Sequence, residues 1–372
     1  MLTLKSVMPV AANGMHNAFT SLCQYQGATY VAYRQAQSHN PYPPGHVVIQ
    51  RSADLETWEV AASIRTGGDD RDPHLVATDE ALYCLFGTYV PGYDVWTGRL
   101  ALSGSDLATY AAMSHDGSAW GPPYRVSRVG SWLWSCVREA VPPPEPGLLT
   151  RAMGRTTVPH ARPTWYAMSY DVGDGMVDRS HTLTLWRGAN PMVWERWSTI
   201  LDAYKSMSDG QPSEPALFWK NAETLACVVR SEEGTLYGEG VRPFVAWAWD
   251  VLQVPEKASV HAPSILEVPG RGWIVAGREY VAGKRKTDKP AVCQTTLWKL
   301  IVREDRTGSA ARLEKLLALP SSGDCSYPGL MWDKEREEVL CSFYSQHERD
   351  PSIVGMPHAA DIYLARLTVK ED

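Results

Sequence analysis

The chain has 372 residues, of which 44% are hydrophobic and 21% are charged, and its formal net charge at pH 7 is −6. Such a composition excludes a disordered chain, because the apolar side chains suffice for a large core. The small acidic excess gives no reason to expect a nucleic acid or an anionic membrane surface as a partner. Fifteen tryptophans and seventeen tyrosines supply the amphipathic rings that are common in sugar-binding clefts.

The N-terminal segment and the cysteines bear on the cellular location. Residues 1–5 show no charged segment followed by a long apolar one, so no signal peptide is evident. The seven cysteines are widely spaced without a Cys-x-x-Cys pair, and most lie in apolar runs, as reduced core thiols do. We therefore expect a cytoplasmic protein, or a secreted one if a signal peptide has been trimmed from the chain.

Two segments repeat a turn motif. Residues 52–58 and 114–120 both read Ser-x-Asp-[Leu/Gly]-x-x-Trp and lie about 60 residues apart. The pattern is typical of an Asp-box, a hairpin turn in which the carboxylate accepts hydrogen bonds from backbone N–H groups. A strand-rich chain that repeats at this length is typical of a β-propeller. We expect Trp58 and Trp120 on the rim opposite the functional face.

The rest of the chain alternates short β-rich runs with Gly, Pro and Asp, and helical periodicity is nearly absent. We predict an all-β fold: a single six-bladed β-propeller domain over residues 1–372. Its alternating first and last strands are expected to share a blade and close the ring. Segments 141–146 and 283–286 are predicted to be surface loops. The six predicted blades open at Asn17, Arg71, Trp132, Ser213, His261 and Ser326.

The arginines are the first candidates for a binding site, because the openings of inner strands converge on one face of a propeller. Arg34, Arg230 and Arg278 each end an apolar strand, where packing does not require a charge. Together with Arg71 they could form a clamp for a ligand carboxylate, since a guanidinium binds a carboxylate through two parallel hydrogen bonds. For any single arginine, a structural ion pair is an equally good interpretation.

Glu214 and Tyr327 open the fourth and sixth predicted blades. A tyrosine hydroxyl is a poor nucleophile at neutral pH, since its reference pKa is about 10. A buried glutamate beside it could take its proton, and nearby arginines would favour the phenolate. A neutral phenol suits a substrate with a carboxylate at the reacting carbon, because a carboxylate nucleophile would be repelled. The structural alternatives are a Glu214–Arg230 salt bridge and a core tyrosine.

The order of these segments resembles the sialidase (neuraminidase) superfamily of six-bladed propellers. Glu214 followed sixteen residues later by Arg230 resembles the glutamate and the second arginine of that family. Residues 261–278 resemble the strand of the third arginine, and residues 322–327 resemble the strand of the nucleophilic tyrosine. Segments 16–20, 71–73 and 343–348 resemble those of a bacterial subgroup that is exo-α-sialidase-like. The resemblance covers nearly the whole chain and implies a retaining exo-glycosidase for a terminal acidic sugar, with no cofactor.

The chain departs from the family pattern in blade one. Sialidases open this blade with an Arg-Ile-Pro motif, whereas this chain reads Asn17-Ala18-Phe19. The first arginine would then come from Arg34 or Arg71. The blade-one loop at 35–40 also lacks the acid/base aspartate of the family. The candidates for the acid/base residue are His39, Asp70 and Asp72.

Two other functions remain open at this point. A polysaccharide lyase acting on a uronate would use His39, Tyr327, His347 and the arginines, but would not need Glu214 beside Tyr327. A propeller that binds glycans without catalysis would keep the arginines and aromatic rings alone. The expected partner is a carbohydrate with a carboxylate, such as sialic acid, another ulosonic acid or a uronic acid. Because the histidines lack ligand spacing, no metal site is predicted.

Overall fold

The computed structural model describes residues 2–89, 92–93, 100–101, 107–139, 164–172, 181–202, 211–231, 234–283, 289–303, 310–348 and 358–369. Within these ranges the regular structure is β-strand, apart from a short 3-10 helix at Pro255–Lys257. This part of the chain contains no helix that is long and apolar enough to cross a membrane. The predicted loop at 141–146 lies outside the described residues, as does that at 283–286 apart from Gly283.

The strands are short and follow one another closely, as the sequence pattern predicts. The first half contains β1 (Leu2–Ala11), β2 (His16–Tyr25), β3 (Ala28–Ala36), β4 (His46–Ser52), β5 (Glu59–Ile64), β6 (Asp69–Ala77), β7 (Leu82–Tyr89), β8 (Gly92–Tyr93), β9 (Leu100–Ala101), β10 (Leu107–Ser114), β11 (Tyr124–Arg125), β12 (Ser131–Arg138) and β13 (Trp165–Val172). The second half contains β14 (His181–Asn190), β15 (Val193–Asp202), β16 (Ser213–Asn221), β17 (Thr224–Ser231), β18 (Gly234–Val241), β19 (Trp247–Val251), β20 (Ser259–Val268), β21 (Gly272–Val281), β22 (Val292–Val302), β23 (Ala311–Ala318), β24 (Ser326–Asp333), β25 (Glu338–Ser345) and β26 (Asp361–Val369).

Four of the sheets have four antiparallel strands each. Three of them are built from consecutive strands, β2–β5, β16–β19 and β20–β23. The fourth has the order β1-β26-β25-β24, so that the first strand of the chain is hydrogen-bonded to the last described one. The inner strands β2, β6, β12, β16, β20 and β24 contact one another in this cyclic order around an axis. The predicted all-β propeller is therefore confirmed.

The prediction of six separate blades is wrong. Strands β6, β7 and β10 to β15 form one eight-stranded sheet, which joins the second and third predicted blades. The junction is a parallel pairing of Ala108 with Ser131. Gly87 permits this close approach, because a Cβ at its position would lie 2.2 Å from the indole of Trp132. The described strands thus form four separate four-stranded blades, one eight-stranded sheet and the small β8–β9 pair.

The inner strands share one irregularity that positions the site. Phe19, Asp72, Glu214, Ala262 and Tyr327 all have a positive φ, between 45° and 61°. At each of them the register of the inner strand shifts, as in a β-bulge. A bulge bends the strand and redirects the side chain, and a non-glycine residue keeps this conformation only where the surrounding packing imposes it. The bulges therefore place these five side chains at equivalent points around the axis.

Both Asp-box motifs form the expected turns. Asp54 accepts hydrogen bonds from the backbone N–H groups of Glu56 and Thr57, at 2.8 and 2.7 Å. Asp116 does the same with Ser118 and Ala119, at 2.8 and 2.7 Å. Neither tryptophan of the motifs lines the axial cavity described below. The turns hold the outer parts of the sheets and do not belong to the candidate site.

Two glycines, Gly117 and Gly27, differ in how closely they are packed, and substituting each by alanine measures the contact of the second Asp-box turn with Tyr30. Gly117 and Gly27 have φ values of 74° and 80°. A Cβ on Gly117 would lie 2.0 Å from the buried Tyr30 hydroxyl, whereas one on Gly27 would meet nothing within 4 Å. We expect Gly27→Ala to lower the free energy of unfolding by about 1 kcal/mol through backbone strain, and Gly117→Ala by about 2–4 kcal/mol through strain and overpacking. Urea denaturation measures both, and equal losses would contradict the packing at Gly117.

Candidate functional site

The bulges surround an axial cavity of about 250 Å³. Its lining includes Phe19, Asp72, Trp134, Ala262 and Tyr327, which come from five different inner strands. Proline follows Asp72, Ala262 and Tyr327, and also Glu214, in the sequence. A polar or small residue followed by proline at a blade opening was therefore a usable sequence signal for this ring of residues. Glu214, Arg71, Arg230 and Arg278 do not line this cavity. The candidate site is therefore defined by the contacts among these side chains and Tyr327, and it shares Phe19, Asp72 and Tyr327 with the cavity.

Tyr327 and Glu214 are in direct contact. The Tyr327 hydroxyl donates a hydrogen bond to Glu214 Oε1 over 2.6 Å, although 113 residues separate them in the sequence. Arg230 donates to the same oxygen from Nη1 at 2.7 Å. The other oxygen, Oε2, accepts the backbone N–H of Ala262 at 2.7 Å. The bulge at Ala262 thus orients the carboxylate that receives the phenol.

The surroundings of Tyr327 keep its hydroxyl protonated in the free protein. Burial raises the pKa of Tyr327 well above its usual value, and the charge of Glu214 raises it further, while Arg278 and Arg230 act in the opposite direction. The phenol therefore needs a base to become a nucleophile. Glu214 is the group within hydrogen-bond reach of it.

Arg278, in β21, contacts both Tyr327 in β24 and Tyr344 in β25. Its guanidinium lies 5.1 Å from the centre of the Tyr327 ring and donates two hydrogen bonds to the backbone oxygen of Cys325, at 2.6 and 2.8 Å. It also donates to the Tyr344 hydroxyl at 2.9 Å and to Asp324 at 3.3 Å. Burial opposes the charge on Arg278, yet the neighbouring tyrosines and Asp324 raise its pKa. This arginine therefore remains a cation while its side chain is only 15% exposed.

Arg71 is the third arginine that reaches the site, whereas Arg34 does not. Arg71 lies 5.3 Å from the centre of the Phe19 ring, and it donates to Asp69 at 2.7 Å and to the backbone oxygen of His39 at 2.9 Å. Arg34 has no solvent exposure. Its guanidinium donates to Asp69 and to the backbone oxygens of Ser38 and Asn40. The donors of Arg34 hold Asp69 and the loop that carries His39, so we leave Arg34 out of the set of arginines that could bind the substrate.

Asp72 is a buried acid in the ring. It is 6% exposed, and its Oδ1 has no hydrogen-bond partner among the described residues. Burial raises the pKa of Asp72 to about 8, and the charge of Glu214 adds to the effect against the opposing charge of Arg71. Asp70, the other aspartate considered for acid/base chemistry, is hydrogen-bonded to Thr66 and Thr88 and does not line the cavity. At neutral pH, Asp72 is thus a proton donor facing the axial cavity.

Because the pKa of Asp72 is raised in the folded state, we expect the stability of the protein to fall as the pH rises. The folded state keeps this proton up to a pH of about 8, whereas the unfolded chain loses it near pH 4. Between these values the folded state binds more protons, so the stabilising contribution is present below pH 4 and is lost as the pH rises to about 8. We expect Asp72→Asn to raise the melting temperature relative to the wild type more at pH 8.5 than at pH 5. Thermal scans at both values measure this, and a pH-independent difference would contradict a buried neutral carboxyl group.

His39 lies beside the ring and belongs to a second polar cluster. Its Nδ1 is 2.6 Å from Asp324 Oδ2, and His16 Nε2 is 2.9 Å from the same oxygen. The other carboxylate oxygen accepts the Tyr344 hydroxyl at 2.7 Å. Burial opposes the charge of Asp324, but the hydrogen bonds from His16 and His39 hold the pKa of this carboxyl well below its usual range. Asp324 is therefore ionised and can only accept hydrogen bonds.

The spacing of this cluster also raises the question of a metal ion. The ligand atoms of His16, His39 and Asp324 lie within 4.8 Å of one another, which the sequence spacing did not indicate. A metal on His16 Nε2 would leave a proton on Nδ1, and this atom is buried without an acceptor among the described residues. The guanidinium of Arg278, 3.3 Å from Asp324, would also repel a cation. The local contacts thus suit hydrogen bonding better than metal binding.

Several members of the site were not identified from the sequence. Asp324 and Tyr344 contact Arg278, and Phe19 packs against Tyr327 with ring centres 4.9 Å apart. Asp324 lies three residues before Tyr327, in the segment that resembles the nucleophile strand, and this position was the available signal. His347, considered for the lyase interpretation, packs against Tyr363 and does not line the axial cavity.

Comparisons with known proteins bear on the fold. No protein-family model and no curated protein matches the chain. Among solved structures, a protein of unknown function from Dyadobacter fermentans is 14% identical, with a TM-score of 0.69 over 99% of both chains. Trypanosoma rangeli sialidase in complex with sialic acid is 12% identical, with a TM-score of 0.58 over 98% of this chain and 57% of that one. Phage phi92 endosialidase is 12% identical, with a TM-score of 0.61 over 99% and 69%.

These likenesses show a sialidase-like propeller fold. The chain spans little more than half the length of the trypanosomal sialidase. At such low identity a shared fold does not carry a shared activity, and function has to be argued from the site.

Proposed function

We propose that the protein is a glycoside hydrolase of the exo-α-sialidase-like type, which removes a terminal acidic sugar from a glycan. The observation that carries this proposal is the 2.6 Å hydrogen bond from the Tyr327 hydroxyl to Glu214. A retaining hydrolase with a tyrosine nucleophile needs this contact, whereas a lyase or a binding protein does not. Solved complexes of the similar trypanosomal sialidase with sialic acid and with a difluorosialic acid covalent intermediate add support.

The reaction follows from the positions of these groups. Tyr327 Oη attacks the anomeric carbon while Glu214 takes the phenolic proton, the glycosidic C–O bond breaks, and an acid protonates the leaving oxygen. Water then attacks the anomeric carbon of the glycosyl-tyrosine, the conjugate base of that acid takes a proton from the water, and the C–O bond to Tyr327 breaks. Glu214 returns its proton to the phenolate. Two displacements retain the anomeric configuration.

The substrate carboxylate would be held by three arginines. Arg71, Arg230 and Arg278 are partly exposed, with 12%, 34% and 15% of their side chains accessible. The hydrogen bonds of Arg278 to described residues come from Nε and Nη2, which leaves Nη1 to donate to a ligand. Charge-assisted hydrogen bonds from several guanidinium groups would hold the carboxylate beside Tyr327 and orient the anomeric carbon. Sialic acid and other ulosonic acids carry a carboxylate at this carbon, which favours them over uronic acids.

A small substrate panel tests the proposal. Aryl α-glycosides of sialic acid and of another ulosonic acid are compared with an aryl glucuronide and a uronate polysaccharide. We expect turnover of at least one ulosonide, with the sugar released first in its original anomeric configuration by NMR. An unsaturated product from the polysaccharide, seen by its ultraviolet absorbance, would support the lyase instead. Binding of an acidic glycan with no turnover of any substrate would support a non-catalytic propeller.

A further inference from the structure

The carboxylate of Asp324, beside the candidate site, is hydrogen-bonded to four side chains. His16 and His39 approach Oδ2 at 2.9 and 2.6 Å, while Tyr344 and Arg278 approach Oδ1 at 2.7 and 3.3 Å. These four groups come from β2, the β3–β4 loop, β25 and β21. The mechanism above, with Tyr327, Glu214 and the arginines, leaves this carboxylate without a role.

The contact with Asp324 fixes the chemistry of the two nitrogens of His39. An ionised carboxylate has no proton to donate, so the imidazole nitrogen that faces it, Nδ1, carries the proton. Nε2 then has a lone pair when the ring is neutral and a proton when the ring is charged. The ring of His39 hydrogen-bonds to the described residues through Nδ1, and its side chain is half exposed, which leaves Nε2 to act on a ligand. A carboxylate that orients a histidine in this way is the arrangement by which general acid–base histidines are held in one tautomer.

His39 is also placed where a leaving group would be. Its side chain is 51% exposed, and its ring packs edge-on against Phe19 at 5.4 Å, which in turn packs against Tyr327. In an exo-acting enzyme the remainder of the glycan extends from the anomeric carbon toward solvent. Asp72, the alternative acid, is only 6% exposed and lines the axial cavity, which His39 does not line. A proton donor for the glycosidic oxygen is therefore better placed at His39.

Two arginines and one further histidine lie around His39 and its loop. Arg34 holds the backbone oxygens of Ser38 and Asn40, and Arg71 holds that of His39 itself. His16 lies edge-on to His39 with ring centres 5.5 Å apart. The backbone of the loop is thus fixed by two arginines, and the imidazole is fixed by Asp324.

We propose that His39 is the proton donor to the glycosidic oxygen and that Asp324 is the positioning residue that orients both His39 and Arg278. This inference rests on the proposed glycosidase function. In the first step Nε2 gives its proton to the leaving oxygen as the C–O bond breaks, and in the second it takes a proton from the attacking water, which restores the starting state. By also holding Arg278, Asp324 links the proton donor to the arginine that would bind the substrate carboxylate.

Leaving-group dependence tests the role of His39. A 4-nitrophenyl glycoside has a leaving group that departs without protonation, whereas an alkyl glycoside of the same sugar needs a proton. We expect His39→Gln to lower kcat/KM for the alkyl glycoside by about 10²–10⁴-fold and to change that for the 4-nitrophenyl glycoside by less than about 10-fold. His115→Gln is the matched control, because His115 lies in the second Asp-box turn, and it should change neither rate.

Asp324→Asn tests the positioning role. We expect the same selective loss on the alkyl glycoside, together with a rise in KM for both substrates that His39→Gln does not cause, because Asp324 and not His39 accepts a hydrogen bond from Arg278. Equal losses on the two glycosides in His39→Gln, or a selective alkyl loss in Asp72→Asn alone, would overturn the proposal and leave the glycosidase function standing. Absence of turnover by the wild type on both glycosides would overturn both.

Discussion

Replacing Tyr327 by phenylalanine is expected to reduce kcat by at least about 10³-fold, the scale on which enzymes lose activity when their nucleophile is removed. The substitution deletes one oxygen atom and leaves the ring, which packs against Phe19 and Trp134. Glu214 keeps its hydrogen bonds from Arg230 and from the backbone of Ala262. The protein should therefore fold normally and still bind the acidic sugar.

The matched control is Tyr124→Phe, because Tyr124 is an exposed residue of β11 outside the site. Initial rates on the best aryl glycoside, with calorimetric binding of the free sugar, separate catalysis from affinity. A Tyr327→Phe variant with nearly wild-type turnover would exclude the covalent mechanism. Loss of sugar binding together with a lowered melting temperature would instead assign Tyr327 to the core.

Replacing Arg278 by alanine is expected to weaken binding of the acidic sugar by about 2–5 kcal/mol, or about 30- to 5,000-fold in Kd. The reason is its low exposure, which limits the screening of its charge by water, and its position 5.1 Å from the Tyr327 ring. Arg278→Lys should recover only part of the loss, since an ammonium cannot form two parallel hydrogen bonds with a carboxylate. Arg230→Ala should have a smaller effect, because Arg230 is one-third exposed.

The carboxyl methyl ester of the same sugar is the control ligand. Calorimetry should show that the wild type prefers the acid to the ester and that Arg278→Ala loses this preference. If Arg278→Ala binds both ligands as the wild type does, the carboxylate clamp is wrong. A parallel thermal scan reports whether the loss of the hydrogen bonds to Cys325 and Tyr344 has unfolded the region.

Much of the fold is set by local features of the sequence. The Asp-box turns form within a few residues, since Asp54 and Asp116 accept hydrogen bonds from N–H groups two and three positions later. The polar residue before proline marks the bulge at Asp72, Glu214 and Tyr327. The Asp-box geometry is imposed by the nearest residues and can be recognised without knowing the neighbours in space. The proline marks where a bulge lies, but the positive φ of the residue before it also depends on the surrounding packing.

The joining of two predicted blades into one sheet could not be predicted from the sequence. Whether β10 joins β12 depends on the Gly87 backbone leaving space for Trp132, 45 residues further along, and no local pattern expresses that contact. The burial of Arg34 also depends on contacts that no local pattern expresses. Its position at the end of an apolar strand resembles those of Arg230 and Arg278, but Asp69 and the 38–40 loop enclose it.

The β-propeller class, the Asp-box turns and the residue types suited to an acidic sugar can all be recognised in the amino-acid sequence. Which of these residues meet depends on the tertiary structure. The hydrogen bond of Tyr327 to Glu214 spans 113 residues and that of His39 to Asp324 spans 285. The physical reason is that a propeller brings the openings of its inner strands together only when the whole ring is formed. Contacts across the axis therefore depend on the packing of every blade, while each turn depends on its own few residues.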